Sequence, residues 1–398
     1  MWAVGLNRFG LKVMGVWPIN EDNESKSFFT ELRVPCMILI MFIFIILPQM
    51  FGLVMIINDI ELVINNLMTN FTACLCCVKL FFIWYNKIEL QPVVQSMIID
   101  WERPKKKWEV EIMKQKAFWM RNFIIFDYIS LAICYLGFAT GPLIGFDMRL
   151  ISNITDYESH HLAIQSYYPY DYNRSPHFEL THITQIIGGF FMSMSMNIPD
   201  HYFGTLVFHT SAQFLILNSN ITDFIQQNDG ILGNTNDIDK KLRIFIERHA
   251  YLMRTIAVLE KSFTFIIASQ IFLMTVLVCC TGIIILNLLE YKCITVQIIV
   301  LGGTLINQML HTFFDFFASE SLATSSSDIF FNIYNSCWYI LPKRIIRSFI
   351  LIMIISQSPK QIKIGRIFTA SFKIYCNIIN LILRYISMLF AFTRKRDS

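Results

Sequence analysis

The sequence predicts an all-α, polytopic membrane protein with seven transmembrane helices, an intracellular amino terminus and an extracellular carboxyl terminus. Three observations carry this expectation. The 398 residues are 55% hydrophobic with a mean hydropathy of +0.50, more apolar than a soluble domain needs. Seven apolar runs are long enough to cross a bilayer. The Lys and Arg residues between those runs fall overwhelmingly on one side.

The first run, 36–57, follows a mixed and charged segment, 1–35. It is too long for the core of a cleavable signal and reads as the first anchor. Further spans are expected at 66–86, 123–145, 183–207, 263–291, 294–317 and 369–393. The stretch 183–217 is interrupted by Asn197, Pro199, Asp200 and His201, so one long helix or two short passes are both open. Residues 345–356 are apolar but short, carry Arg347, and are bounded by Lys343-Arg344 and Pro359. Such a run is more often a buried or interfacial helix than a span. Seven crossings place 1–35, 87–122, 208–262 and 318–368 on one side, with 24 Lys and Arg. The other side, 58–65, 146–182, 292–293 and 394–398, holds 6. An extra pass in either doubtful region scrambles this bias, and only the Arg394-Lys395-Arg396 tail conflicts with it. The chain then divides into an inner segment 1–35, six spans over 36–317, an inner region 318–368, and a seventh span with an outer tail, 369–398.

Asn153 opens a glycosylation sequon in the outer loop 146–182, in keeping with an exterior location. Most of the ten cysteines fall inside apolar runs, so a disulfide framework is not expected, and Cys74-x-Cys76-Cys77 reads as packing rather than metal ligation. Gly137, Gly141 and Gly145 form a small-residue stripe suited to close helix packing, with Pro142 placed to kink it. Lys79 and Asp127 lie toward inner span ends, where snorkelling, a structural ion pair and a functional role all remain open. His160, His161, His177 and His182 fit no zinc spacing. Lys105-Lys106-Lys107 reads as a topology determinant. Nucleophile elbows, HExxH helices and phosphate-cradling loops are absent, so the chain reads as a non-enzyme with no cofactor, no metal and no nucleic-acid partner.

The last span carries the strongest pattern. Lys373, Asn377, Asn380, Arg384 and Ser387 recur at steps of 4, 3, 4 and 3, which puts them on one stripe of a helix. Ile378, Ile382, Ile386 and Leu389 occupy the opposite face. A polar stripe at membrane depth meets either water or polar partners, so pore lining and burial against a neighbour are both open.

The order of three motifs resembles the insect odorant receptor family. Leu11-Lys12-x2-Gly15-x-Trp17-Pro18 is similar to the amino-terminal signature of its ant, bee and wasp members. Tyr168-Pro169-Tyr170, Ser175-Pro176-x-Phe178-Glu179 and Gln185 are similar to its second outer loop. Tyr334-x3-Trp338-Tyr339-x-Leu341-Pro342, Ser356-Gln357-x-Pro359, Gly365, Ser371-Phe372 and Tyr385 are similar to its carboxyl-terminal third. The resemblance implies a subunit of a tetrameric ligand-gated cation channel in the plasma membrane of olfactory sensory neurons. It implies that Asn377, Asn380, Arg384 and Ser387 border the pore, with the gate at Met388 and Phe392. It implies a cytoplasmic anchor over 318–368 and an odorant pocket in the outer half of 36–317. Direction of travel there selects Phe71, Cys74, Tyr135, Phe138, Ile187, Phe191 and Thr304. The implied partners are a small, volatile, largely apolar odorant and the odorant receptor co-receptor, in a heterotetramer within the lipid bilayer. Two departures point to the odorant-tuning role: Ala391 stands where gustatory receptors and the co-receptor carry Gln, and the co-receptor's long second inner loop is lacking. A gustatory-type channel, a G-protein-coupled receptor of opposite topology and a transporter are the alternatives.

Overall fold

The computed structural model describes residues 5–18, 28–140, 162, 164, 166–172, 174–227, 235–290, 296–365 and 368–396. Among them, helices follow one another with little else between. They are α1 (Gly5–Val13), α2 (Phe28–Met41), α3 (Leu47–Met55), α4 (Ile60–Tyr85), α5 (Lys87–Glu102) and α6 (Lys107–Thr140). Then come α7 (His177–Gln227), α8 (Thr235–Glu290), α9 (Val296–Tyr334), α10 (Lys343–Ser356) and α11 (Phe372–Arg396). A two-residue hairpin, β1 (Lys363–Ile364) and β2 (Phe368–Thr369), precedes α11. Each of the seven apolar runs falls on a helix or, for the first, on α2 and α3 joined by a π turn at Phe42–Ile46. Pro48 accounts for that turn: it offers no N–H to the carbonyl one turn back, so the backbone ladder re-forms in a wider register.

Four helical stretches are long and apolar enough to span a bilayer by composition alone: Glu31–Met55, Leu62–Tyr85, Lys107–Thr140 and Asp237–Gly282. Helix α7 is interior. From Asn197 to Phe208 every α7 residue is buried, which is the mark of a central helix rather than a lipid-facing one. It packs against α9, α6, α4 and α8. The interruption at Asn197, Pro199, Asp200 and His201 is therefore no break. One continuous helix of 51 residues runs through it, and the two-pass alternative is excluded. At 1.5 Å per residue α7 is about 75 Å long, more than twice a bilayer's hydrocarbon thickness. Its surplus, and those of α8 and α9, extends past the expected inner boundary.

The ends of the chain pack onto this frame. In α1, Leu11 is fully buried, and Gly15 takes a left-handed φ of 73° that lets Val16 and Trp17 donate back to the Leu11 carbonyl. That closure ends the helix and turns Trp17 inward, giving the Gly15-x-Trp17 spacing a structural reason. The short apolar run 345–356 is α10, which packs Ile345, Phe349, Ile352 and Met353 against the rest. The opposite side of α10 exposes Ile350, Leu351, Ile354 and Ile355.

Candidate ligand site, buried polar network and last helix

At the outer end of the bundle, aromatic side chains of α6 and α7 converge. Tyr135 stacks beside Phe138 with ring centroids 6.3 Å apart and meets the edge of Phe190 at 5.9 Å. Phe190 in turn contacts Phe191 at 5.7 Å. The Tyr135 hydroxyl donates to the Ile186 carbonyl, tying α6 to α7. Gly189 lets the Phe138 ring approach the α7 backbone. Tyr135, Phe138 and Phe191 thus share one half-buried cluster. Phe71, Cys74, Ile187 and Thr304 are exposed on their helices and do not join it.

The outer loop folds down over this end. Gln185 is fully buried and acts as a polar clamp. Its Oε1 accepts from Ile164 N at 3.1 Å, and its Nε2 donates to Ile164 O at 3.1 Å and Tyr168 Oη at 3.3 Å. Tyr167 N donates to Pro48 O at 3.0 Å, linking the loop to α3. His182 contacts the Ala139 carbonyl at 2.9 Å and stacks on Phe178. Asn153, His160, His161, Gly141, Pro142 and Gly145 lie outside the described residues.

At the centre sits a group of charges that no apolar pattern announces. Lys79 on α4 is wholly buried and donates to both Asp200 oxygens, at 2.8 and 2.9 Å, and to Met196 O at 2.9 Å. Snorkelling is thereby excluded for Lys79; it is an interior ion pair. His311 on α9 bridges two carboxylates, with Nε2 3.0 Å from Asp127 Oδ1 and Nδ1 3.2 Å from Asp200 Oδ2. His201 Nε2 lies 3.1 Å from Asp127 Oδ2. One turn along α9 from His311, Asp315 accepts from Gln270 of α8 at 3.2 Å. Phe123 and Tyr128 rings wall the two imidazoles. From below, Asn7 of α1 donates to the His201 carbonyl at 3.1 Å and to Thr205 Oγ1 at 3.0 Å. Five spans and the amino-terminal helix meet here. Lys79 and Asp127 were visible in the sequence as intramembrane charges. Asp200 and His201 were visible only as an interruption, and His311, Asp315 and Gln270 gave no signal beyond being ionisable or polar at membrane depth.

The last helix contrasts with this centre. Ile382 is buried against Met274 and Val278 of α8, with Ile378 and Ile386 beside it. Lys373, Asn377, Asn380, Arg384, Ser387 and Met388 are all exposed on the chain. Tyr375 donates to Met309 O at 3.3 Å, and Phe372 stacks on Phe313 and Phe317, so the inner end of α11 is pinned to α9. The side chains of Leu389 and Phe392 lie outside those described.

A family profile described as 7tm Odorant receptor matches residues 59–383. The chain belongs to this odorant receptor family. The solved olfactory receptor OR5 from the insect Machilis hrabei in complex with eugenol shares the fold, with a TM-score of 0.79 over 98% of this chain and 97% of that chain at 17% identity. The same receptor's other solved structure superposes at a TM-score of 0.80, again at 17% identity and with the same coverage. No curated protein sequence matches. This odorant receptor is accordingly a polytopic helical membrane protein.

Toward the expected inner side, the receptor ties α5, α7 and α8 together at Asp100. His209 approaches Asp100 Oδ2 at 3.2 Å and Arg248 donates to it at 2.6 Å. Burial opposes the Asp100 charge, but the His209 hydrogen bond and the Arg248 guanidinium overcome it and hold the carboxyl below its usual range. Burial moves His209 the other way, lowering it. Beside this pair a cavity of about 20 Å³, room for one water, is lined by Met97, Trp101, Met113, Met120, Phe208 and His209 among others.

Proposed function

We propose that this odorant receptor is the odorant-binding subunit of a heteromeric ligand-gated cation channel, formed with the odorant receptor co-receptor. The observation that carries the reading is the polar stripe of α11, exposed along its length while the apolar face packs on α8. A lysine, an arginine, two asparagines and a serine at membrane depth are stable only against water or polar partners. Subunits arranged around an aqueous pore supply both. The exposed apolar side of α10, on the expected cytoplasmic side, supports an assembly through the 318–368 anchor.

Four copies of Arg384 and Lys373 would ring a pore with eight positive charges and repel cations, so a minority of such subunits among co-receptor subunits fits the chemistry better. The odorant enters the outer half, near Tyr135, Phe138 and Phe191, under the cap held by Gln185. The remaining sequence-selected positions, Phe71, Cys74, Ile187 and Thr304, would serve only where a partner or ligand covers them. Binding opens the gate at Met388 and Phe392 only as far as the odorant prefers the open state over the closed one. The eugenol complex of the Machilis hrabei receptor supports a small aromatic or aliphatic ligand class. The cell type is the olfactory sensory neuron and the site its plasma membrane.

Co-expression with the co-receptor tests this. Odorant-evoked cation current is expected with both chains and absent with this chain alone. Current from this chain alone, or silence of the pair toward a broad odorant panel, overturns the proposal.

A further inference from the structure

Asp127, His201 and His311 come from three different helices, α6, α7 and α9, and each is buried. One donor atom from each can be chosen so that all three lie within 4.8 Å of one another. The two shortest separations are 3.0 Å, His311 Nε2 to Asp127 Oδ1, and 3.1 Å, His201 Nε2 to Asp127 Oδ2. Ligands about 2.0–2.1 Å from a tetrahedral metal stand roughly 3.3 Å apart, so these separations need little adjustment.

The second observation concerns His201 alone. Its side chain is 0% exposed, yet neither ring nitrogen has an aligned hydrogen-bond partner, and Asp127 Oδ2 has none either. A buried imidazole without partners at both nitrogens is costly, and such a group marks an additional ligand more often than strain. A protonated His201 makes the deficit worse, because both nitrogens then carry N–H bonds that nothing accepts in line. A neutral His201 with its proton on Nδ1 turns the Nε2 lone pair toward the Asp127 carboxylate, 3.1 Å away, and a cation between them relieves that repulsion. A neighbouring group also suits a ligand shell: His311 Nδ1, which likewise has no aligned hydrogen-bond partner, lies 3.2 Å from Asp200 Oδ2, close enough for a carboxylate to stand behind a ligating imidazole.

We propose that Asp127, His201 and His311 bind a divalent transition metal of the zinc class, both Asp127 oxygens and one nitrogen of each imidazole supplying four donors, with Asp200 as the supporting carboxylate. Two imidazoles and one carboxylate suit zinc, and copper or nickel less selectively. The ion fastens α6, α7 and α9 at mid-bundle. Its role is structural, since Phe123 and Tyr128 wall the site and the ligands have no open face to solvent.

The test uses the purified full-length chain in detergent, incubated with zinc chloride, freed of loose metal by gel filtration and assayed by mass spectrometry of the elements. The expected result is close to one zinc per chain. His201→Ala and His311→Ala should each lower retained zinc about tenfold or more, whereas His182→Ala, at the outer cap, should retain it. Cobalt loaded in place of zinc should give the visible absorption of a tetrahedral N,O site. Wild-type protein that elutes as a single folded species yet holds no zinc and no cobalt overturns the proposal, and this measurement needs no variant to fold. Full zinc retention by a folded His201→Ala chain overturns it equally, and would leave Asp127 as a carboxylate shared by two imidazoles through protons alone.

Discussion

Two sets of polar side chains stand at membrane depth in this receptor, and they are handled oppositely. In the centre, Lys79, Asp127, Asp200, His201, His311 and Asp315 are buried against one another at the meeting of α4, α6, α7 and α9. On α11, Lys373, Asn377, Asn380, Arg384 and Ser387 face outward from the chain. Both sets carry the same penalty if left in hydrocarbon. The first meets most of it within one chain and so fixes how the helices meet. The second does not, and so marks the surface that the proposed assembly and its pore would cover.

The largest expected effect tests the closed set. Asp200→Ala strands the Lys79 ammonium, which is wholly buried. Removing one partner of a buried pair costs about 3–5 kcal/mol, enough to abolish a monodisperse peak in fluorescence-detected gel filtration. Exchanging both partners, Lys79→Met with Asp200→Leu, should recover part of the yield, because an apolar pair leaves no lone charge. His311 still faces Asp127 in that double variant but loses its second carboxylate, so recovery will be incomplete. A single Asp200→Ala chain as stable as wild type would show that water or an anion reaches the centre.

The open set should respond in function and hardly at all in folding. Arg384→Gln should change unfolding stability by no more than about 0.5 kcal/mol, the scale of an exposed substitution, while raising cation conductance through the proposed channel. Cysteines at Asn377, Asn380 and Ser387 should react with a hydrophilic thiol reagent in the open channel. Met388→Ala should alter gating or conductance. Protection of all three cysteines in every state would turn the stripe toward a protein neighbour and remove it from the pore.

The two sets were not equally legible in the sequence. The stripe on α11 could be read directly, because helical periodicity converts spacing into a face without knowing any neighbour. Seven apolar runs and the Lys and Arg asymmetry gave the helices and their expected sidedness for the same reason. The centre could not be read this way. Lys79, Asp127, Asp200 and His311 are drawn from four helices, and only packing brings them within hydrogen-bond range. Asp200 and His201 looked like a break in a span because hydropathy scales treat every residue as facing lipid. Inside α7, where every residue from Asn197 to Phe208 is buried by protein, that assumption fails. The outer candidates divide on the same line: Tyr135, Phe138 and Phe191 meet across α6 and α7, whereas Phe71, Cys74, Ile187 and Thr304 were chosen by depth alone.

A smaller effect is expected at the outer cluster. Tyr135→Phe removes the hydrogen bond to the Ile186 carbonyl but keeps the ring against Phe138 and Phe190. One such bond is worth about 1 kcal/mol, which corresponds to roughly a fivefold shift in the odorant concentration giving half-maximal current. The receptor's surface level should stay unchanged. An identical dose response for every active odorant would place the pocket elsewhere.

A pH-dependent effect separates the interior of the receptor from its inner extension. His249 on α8 precedes the span expected at 263–291, buried against α10, with Nε2 3.1 Å from Ser356 Oγ. Burial lowers its pKa below the ordinary value of 6.5, so the folded state favours the neutral ring. An unfolded chain takes up the proton first. The stability this group contributes is therefore complete above about pH 6.5 and is lost as pH falls from there through the lowered folded value. A single proton sets an upper limit of about 1.4 kcal/mol per pH unit on that slope. His209, lowered by burial in the same way, adds to it, while the Asp100 carboxyl, held below its usual range, contributes only at still lower pH. Melting curves between pH 7.5 and 5.5 should show a falling transition, and His249→Gln should flatten but not abolish the fall. If the slope is the same in wild type and His249→Gln, acid sensitivity arises elsewhere and the contact between α8 and α10 is not its source.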